Sequence, residues 1–380
     1  MKHHRHKPDF PFVHTPVEFD KYTEKNLLQY CLGGTLYMPA TRQVINKLLS
    51  QDLNDLTSMV MCFEDAITEE NLPEAEDNVL RHLRSLAGAI RAGKIGQSDI
   101  PLIFLRVRNE KHFISFTDRL IAEEADLLTG FVFPKFSSEN SLLFLNHLAK
   151  LNQRLGVRLY GMPILEGSAI AFHETRTMEL RLLKNTLEPF RDLILNIRVG
   201  ATDFSSLFGV RRGMNSSIYD ILVVRDCLSD ILNFFNRATD GYIVSAPVWE
   251  YFLASSGDNI DDIIEQNIHH SLVNRQPIVN DAIDGLLREV ILDKSNGFIG
   301  KTIIHPSHLK YVNAMQAVTL EEYEDALQVL DASGGVIKSK KSNKMNEINP
   351  HRNWAQKVVQ CAKAFGVIEE ESCYLKLFKH

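Results

Sequence analysis

Tyr160-Gly-Met-Pro-Ile-Leu-Glu-Gly167 is a short apolar run that ends in a carboxylate and a glycine. A run of this length and composition is a buried strand. A carboxylate at its C-terminal mouth is costly to desolvate unless a cation or hydrogen-bond donors meet it. The next such run, Leu193-Ile-Leu-Asn-Ile-Arg-Val-Gly-Ala-Thr-Asp203, also ends in an acid. Acids at the mouths of consecutive parallel strands lie close together, and like charges that close need a proton or a metal between them. Glu166 and Asp203 are therefore expected to hold a divalent ion, Mg2+ first. Mn2+ is the alternative, since oxygen ligands favour both ions over zinc.

The same pattern extends in both directions. Apolar runs recur at Thr35–Met38, Met59–Phe63, Leu102–Val107, Gly130–Phe133, Leu159–Leu165, Leu193–Val199, Tyr242–Ala246 and Phe298–Ile304. Helix-like segments separate them: Arg42–Leu49, Leu72–Ala92, Phe116–Glu124, Ser138–Leu155, His173–Leu187, Ser217–Asn236 and Asp281–Leu292, with Ser307–Ala317 after the last run. In Ser138–Leu155 the residues Leu142, Leu143, Leu145, Leu148 and Leu151 recur at helical spacing. Strands alternating with helices mean a parallel sheet. Eight repeats within residues 34–318 point to a closed (β/α)8 TIM barrel of the α/β class. An open doubly wound sheet is the rival, and the absence of a GxGxxG after the first strand weighs against it.

Residues 1–33 are expected to be an N-terminal arm, with Pro8, Pro11 and Pro16 discouraging regular structure and Lys21–Cys31 as one short helix. Met1–Lys7, with His3, His4 and His6, is expected to be a solvated basic tail. Gly257–Pro277 is expected to be an extra helix or loop near the barrel top. Residues 319–380 form a C-terminal helical tail. Thr319 and Glu322 make a capping box for a helix to Leu330, Gly334-Gly335 stops it, Lys338–Lys344 is a basic loop, and Asn353–Phe365 is a second helix. Such a tail is too small to stand alone, so it packs on the barrel or on a neighbouring subunit.

Composition sets outer bounds. The chain has 380 residues, 44% hydrophobic and 24% charged, which suits a globular protein. A net charge of −6 gives no footprint for nucleic acid. Five scattered cysteines without ligand-like spacing suit free thiols in a reducing cytoplasm. No apolar run has transmembrane length, and the charged N-terminus lacks the apolar core of a secretory signal.

Barrel active sites are built from the C-terminal ends of the strands. Those ends carry Glu64 and Asp65, Arg106 and Arg108, Lys135, Glu166, Asp203, Pro247, and Lys301 with His305. Acids and bases alternate there in a way that suits an anionic, metal-held ligand. Arg106 and Arg108 share a face by strand alternation, one to contact the ligand and the other to support it. Lys135 and Lys301 are either substrate contacts or solvated caps. His305 is either a contact or a core histidine bonded to backbone.

These strand ends resemble the superfamily of the citrate lyase beta subunit, the malyl-CoA lyases and the metal-dependent 2-keto-acid (HpcH/HpaI) aldolases. The matching pieces are Phe63-Glu-Asp-Ala66, Leu105-Arg-Val-Arg108, Phe133-Pro-Lys135, Pro163-Ile-Leu-Glu166, Gly200-Ala-Thr-Asp203 and Gly297-Phe-Ile-Gly-Lys-Thr-Ile-Ile-His-Pro306, in order. The resemblance implies a Mg2+-dependent lyase that makes or breaks a carbon–carbon bond in a carboxylate or acyl-CoA substrate through an enolate. Glu166 and Asp203 are the implied ligands. Arg106 steadies the enolate oxygen, and Glu64 and Asp65 orient metal-held water or that arginine. Members acting on CoA thioesters place a tail aspartate over a neighbour's site; Lys344-Met-Asn-Glu347 offers Glu347 instead. That implies a homo-oligomer, a trimer or hexamer. Arg108 stands where asparagine is usual, and Phe204–Arg212 is longer and more basic than in the citrate lyase type. The chain thus resembles a divergent branch associated with tellurite-resistance and stress operons. An aldolase acting on a free 2-keto acid and a non-catalytic barrel subunit are the competing expectations.

Overall fold

The computed structural model describes residues 1–50, 52–53, 55–65, 67–252, 278–338 and 345–379. The expected insertion at 257–277, Ala66 of the first motif and most of the basic tail loop lie outside them. Seven strands form one parallel sheet in the order β6-β5-β4-β3-β2-β1-β7. They are β1 (Gly34–Pro39), β2 (Ser58–Cys62), β3 (Leu102–Arg106), β4 (Leu128–Phe133), β5 (Tyr160–Leu165), β6 (Arg198–Val199) and β7 (Lys301–Ile303). The run at 242–246 is too irregular for a full strand, yet it closes the ring. Ile197 N–H donates to Ile243 O at 2.8 Å and Ser245 N–H to Ile197 O at 2.9 Å; on the far side Ile299 N–H donates to Val244 O at 3.0 Å and Thr302 N–H to Ala246 O at 3.1 Å. The result is the closed TIM barrel.

Local chemistry accounts for the helix boundaries. His173–Leu187 matches its expected bounds. The segment expected over Phe116–Glu124 is instead a helix over Glu110–Asp118 and a turn of helix over Ala122–Ala125. The Asn109 side chain accepts from His112 N–H and starts the first of these early. The helix after β4 spans Ser141–Leu155 and ends at Gly156 with φ +65°. It buries Phe144, Leu145, Leu148 and Leu151, while Leu142 and Leu143 face solvent. The core stripe thus starts at Phe144.

The amino-terminal segment departs most from expectation. Met1, His3 and His4 are buried, not solvated. His3 Nε2 bonds Cys31 O at 2.9 Å, and its ring lies 4.3 Å from that of Phe365. Met1 and Phe365 belong to the apolar cluster of the barrel interior with Leu32, Val60, Phe104 and Met162. Burial pushes the His3 imidazole down to about 4, so it is neutral and packs as an aromatic ring. The signal missed is the aromatic content of the segment, which buries an imidazole as readily as a tail exposes it.

The C-terminal tail also docks at that end of the barrel. Helices Leu320–Asp331 and Ile348–Phe365 pack through Ala326, Val329 and Ala355. The Thr319/Glu322 capping box is formed. Val367–Ile368 pairs in parallel with Val318–Thr319, and Phe378 packs on Tyr311 at 5.0 Å between rings. The bottom of the barrel is therefore closed by both chain ends, and the opposite mouth is left for chemistry.

Candidate active site

The mouth holds a cavity of about 320 Å³ lined by the ends of β1, β2, β3, β5, β6 and β7. Glu166 follows β5 and is 4% exposed. Asp203 lies in the first turn of helix Ala201–Leu207, directly after β6. Both reach the same point above Gly200. A Cβ there would lie 2.5 Å from Glu166 Cβ, 3.2 Å from Asp203 Oδ2, and closer still to Glu166 Oε2. Only glycine leaves the two carboxylates room to converge.

Arg106 ends β3 and is the hub of the site. It pairs with Glu64, with Asp65 at 3.1 Å and with Glu166 at 3.4 Å. Burial opposes its charge, but Cys62, Glu166 and Glu64 around it outweigh that and hold its pKa above the ordinary value. Lys135 ties the acids together from the rim. Its ammonium meets Glu64 at 3.1 Å, and its backbone N–H donates to Glu166 Oε1 at 2.8 Å. Asp65 and Lys135 both have left-handed backbone, φ +49° and +47°. Such strain in non-glycine residues is retained where the geometry serves the site, and at Lys135 it accompanies an N–H aimed at Glu166.

Burial pushes Glu166 up to about 8; Arg106 opposes this and the charge of Asp203 adds to it. Burial likewise raises Glu64, against the pull of Arg106. A divalent cation between Glu166 and Asp203 would relieve both the desolvation and the repulsion at Glu166. Two carboxylates with no third protein ligand among the described residues suit Mg2+, which keeps several waters or substrate oxygens in its shell. The residues present thus fit a magnesium-type ion.

Other expected residues fall elsewhere. Arg108 does not line the cavity. It donates to Phe63 O at 3.2 Å and Ile67 O at 2.6 Å, and pairs with Glu69 at 2.8 Å, so it pins the loop that carries Glu64 and Asp65. Lys301 is turned away from the site, 1% exposed, and pairs with Glu289 at 2.9 Å and Asp293 at 2.7 Å. Glu289 also pairs with Arg212, which bonds the Val248 carbonyl and pairs with Glu250. Arg212 of the basic stretch is therefore structural, and Val248, beside buried Pro247, supplies the cavity wall. His305 is half-buried rather than a core histidine. It stacks on Phe252 at 4.4 Å and bonds Ser307 Oγ at 2.7 Å; His308 is the buried one. Glu347 is exposed, on a short strand before helix Ile348–Phe365, and none of the described tail residues lines the cavity of its own chain.

The sequence reading missed Tyr37, Thr302 and Arg198, which line the floor. Arg198 left a signal: a charge inside the apolar run Leu193–Val199. Tyr37 and Thr302 left none, because nothing in their runs separates them from other inward-facing positions.

A family described as the C–C bond lyases of the TIM-barrel fold matches residues 26–367. No curated protein sequence matches the chain. Among solved structures, CitE from Mycobacterium tuberculosis, in complex with magnesium, acetoacetate and coenzyme A, is 16% identical, with 88% of this chain and 99% of that chain covered at a TM-score of 0.52. RipC from Yersinia pestis is 15% identical over 76% of this chain and 95% of that one, at 0.46. The citrate lyase beta subunit of M. tuberculosis, complexed with oxaloacetate and magnesium, is 15% identical over 74% and 95%, at 0.44. At 16% identity the likeness to CitE bears on the fold alone.

Proposed function

This chain belongs to the C–C bond lyase family of the TIM-barrel fold, and on that premise we propose that it cleaves a carbon–carbon bond in a carboxylate or acyl-CoA substrate, with Mg2+ or Mn2+ held by Glu166 and Asp203. The observation that carries the reading is the convergence of those two carboxylates over Gly200, beside an arginine fixed by three acids. The ion, when bound, stabilises negative charge developing on a substrate oxygen. Magnesium in the M. tuberculosis CitE complex is in keeping with this choice of metal.

The chain's own residues supply the rest. In retro-aldol or retro-Claisen cleavage a substrate hydroxyl loses its proton and becomes a carbonyl. The electrons of the breaking bond pass into an enolate on the departing fragment. Arg106 donates to that enolate oxygen; its planar fork is preorganised by Glu64 and Asp65, so the donor does not reorganise as charge develops. The Lys135 N–H fixes Glu166, and its half-free ammonium meets an anionic group at the rim. Arg108 acts through the loop it pins. Glu347 of a neighbouring subunit takes the hydroxyl proton in a trimer or hexamer; the tail of the same chain docks at the far end of the barrel, which favours action between subunits.

Metal titration combined with turnover assays across pools of acyl-CoA esters and 2-oxo acids tests the reading. Mg2+-dependent cleavage, lost in Asp203→Ala, is expected. Turnover of free 2-oxo acids alone would favour the aldolase, and metal binding with no turnover in either pool would favour a non-catalytic barrel.

A further inference from the structure

Arg198 is a guanidinium buried in the barrel with no carboxylate partner among the described residues. It is 1% exposed. From β6 it crosses the interior to the hydroxyls of Thr302 on β7 at 2.7 Å and Thr35 on β1 at 3.4 Å. It lies over the Tyr37 ring, 5.4 Å from the centroid, and its Nε has no partner. Among the described residues the other buried arginines, Arg106, Arg176 and Arg212, each hold an acid. Tyr37 provides no counter-charge, because burial raises its phenol. A guanidinium stays protonated even so, and a buried charge lacking its counter-charge is expensive.

The same side chain lines the floor of the active-site cavity. Arg106, the other cation lining it, is already engaged by Glu64, Asp65 and Glu166. Arg198 pairs in register with Ile164, two positions before Glu166 on the adjoining strand. Strand rise puts that position ~7 Å below Glu166. The cavity thus has acids for a cation at its mouth and a free cation at its floor.

We propose that Arg198, with Thr302 and Thr35, forms an anion subsite on the cavity floor that takes a second carboxylate of the substrate. The enzyme then selects short diacids whose far carboxylate lies about two or three carbons beyond the group seated at Glu166 and Asp203, a length in keeping with the ~7 Å backbone offset. A carboxylate suits this floor better than a phosphate: one guanidinium and two hydroxyls match a planar monoanion. The inference rests on the proposed lyase reading for the mouth of the site and adds the floor to it.

Calorimetry on the Mg2+-loaded protein tests this with pairs matched in carbon-chain length, 2-oxoglutarate against 2-oxopentanoate and oxaloacetate against 2-oxobutanoate. In at least one pair the diacid is expected to bind at least ~10-fold more tightly, as a charge-assisted bond implies. Arg198→Met should abolish that preference and leave the monoacid affinity unchanged, while Arg198→Lys keeps part of it. Arg198→Met should also melt no lower than the wild type, since it removes an uncompensated buried charge. If Arg198→Met fails to fold or melts lower, the arginine is structural and the proposal falls; Thr302→Val then reports independently whether the floor discriminates at all. Monoacids binding as tightly as diacids to the wild type would overturn the subsite alone. Binding of neither class, with Mg2+ still bound, would overturn the lyase reading beneath it.

Discussion

Magnesium affinity should rise steeply with pH, because Glu166 must lose a proton before it ligates. Burial pushes Glu166 up to about 8, with Asp203 adding to the rise and Arg106 opposing it. At pH 6 about 1% of the metal-free protein then carries ionised Glu166, and at pH 8 about half does. Apparent affinity follows that fraction, so it should climb about 50-fold from pH 6 to pH 8 and level off above. Calorimetry in two buffers of different ionisation enthalpy reads the linked proton directly: about one released per ion at pH 6 and about half at pH 8. Stability moves the opposite way. The folded-state value lies above the ordinary 4.5, so the protonated group's contribution is complete below pH 4.5 and is lost as pH rises through about 8. Metal-free protein should therefore lose melting temperature across that window, and saturating Mg2+ should offset the loss. Affinity independent of pH, with no proton released in either buffer, would refute the reasoning.

Arg106→Lys should cost roughly 10²- to 10³-fold in kcat, since a point charge does not serve Glu64, Asp65 and the developing oxyanion together; near-normal kcat would remove Arg106 from the chemistry. Lys301→Met leaves buried Asp293 without a cation and Glu289 with Arg212 alone and should destabilise by ~3–5 kcal/mol in urea titration, a loss that a substrate-contacting lysine would not show. Glu347→Gln should slow turnover by at least ~10²-fold without changing Mg2+ affinity. Mixing it with inactive Glu166→Ala and allowing subunits to exchange should restore activity. No recovery despite proven exchange, or a 43.2 kDa monomer in sedimentation, would exclude a lid shared between subunits.

The barrel was legible because burial on both faces of a parallel sheet leaves apolar runs, and amphipathic helices between them leave a helical period. Irregular elements were less so. The run at 242–246 bonds its neighbours through single bridges, which composition does not separate from a full strand. At the site, Glu64, Arg106, Glu166 and Asp203 were legible as charges ending apolar runs, and the structure brings them together. Lys301 has the same signature, yet its partners Glu289 and Asp293 sit on helix Asp281–Ser295, a long-range pairing invisible in a strand-end inventory. Arg198 was passed over because it lies inside a strand rather than at its mouth. His3 and Met1 were misjudged because a charged segment reads as solvated until the surface that receives it is known.

Hydrogen exchange at the carbon next to a carbonyl measures the central claim most directly, since it reads enolate formation before the substrate is known. NMR in D2O would follow C3 protons of 2-oxo acids and C2 protons of acyl-CoA esters. The account predicts exchange that requires Mg2+ and disappears in both Asp203→Ala and Arg106→Lys. A Mg2+-loaded wild type that exchanges none of them, or exchange that persists in Asp203→Ala, would contradict it.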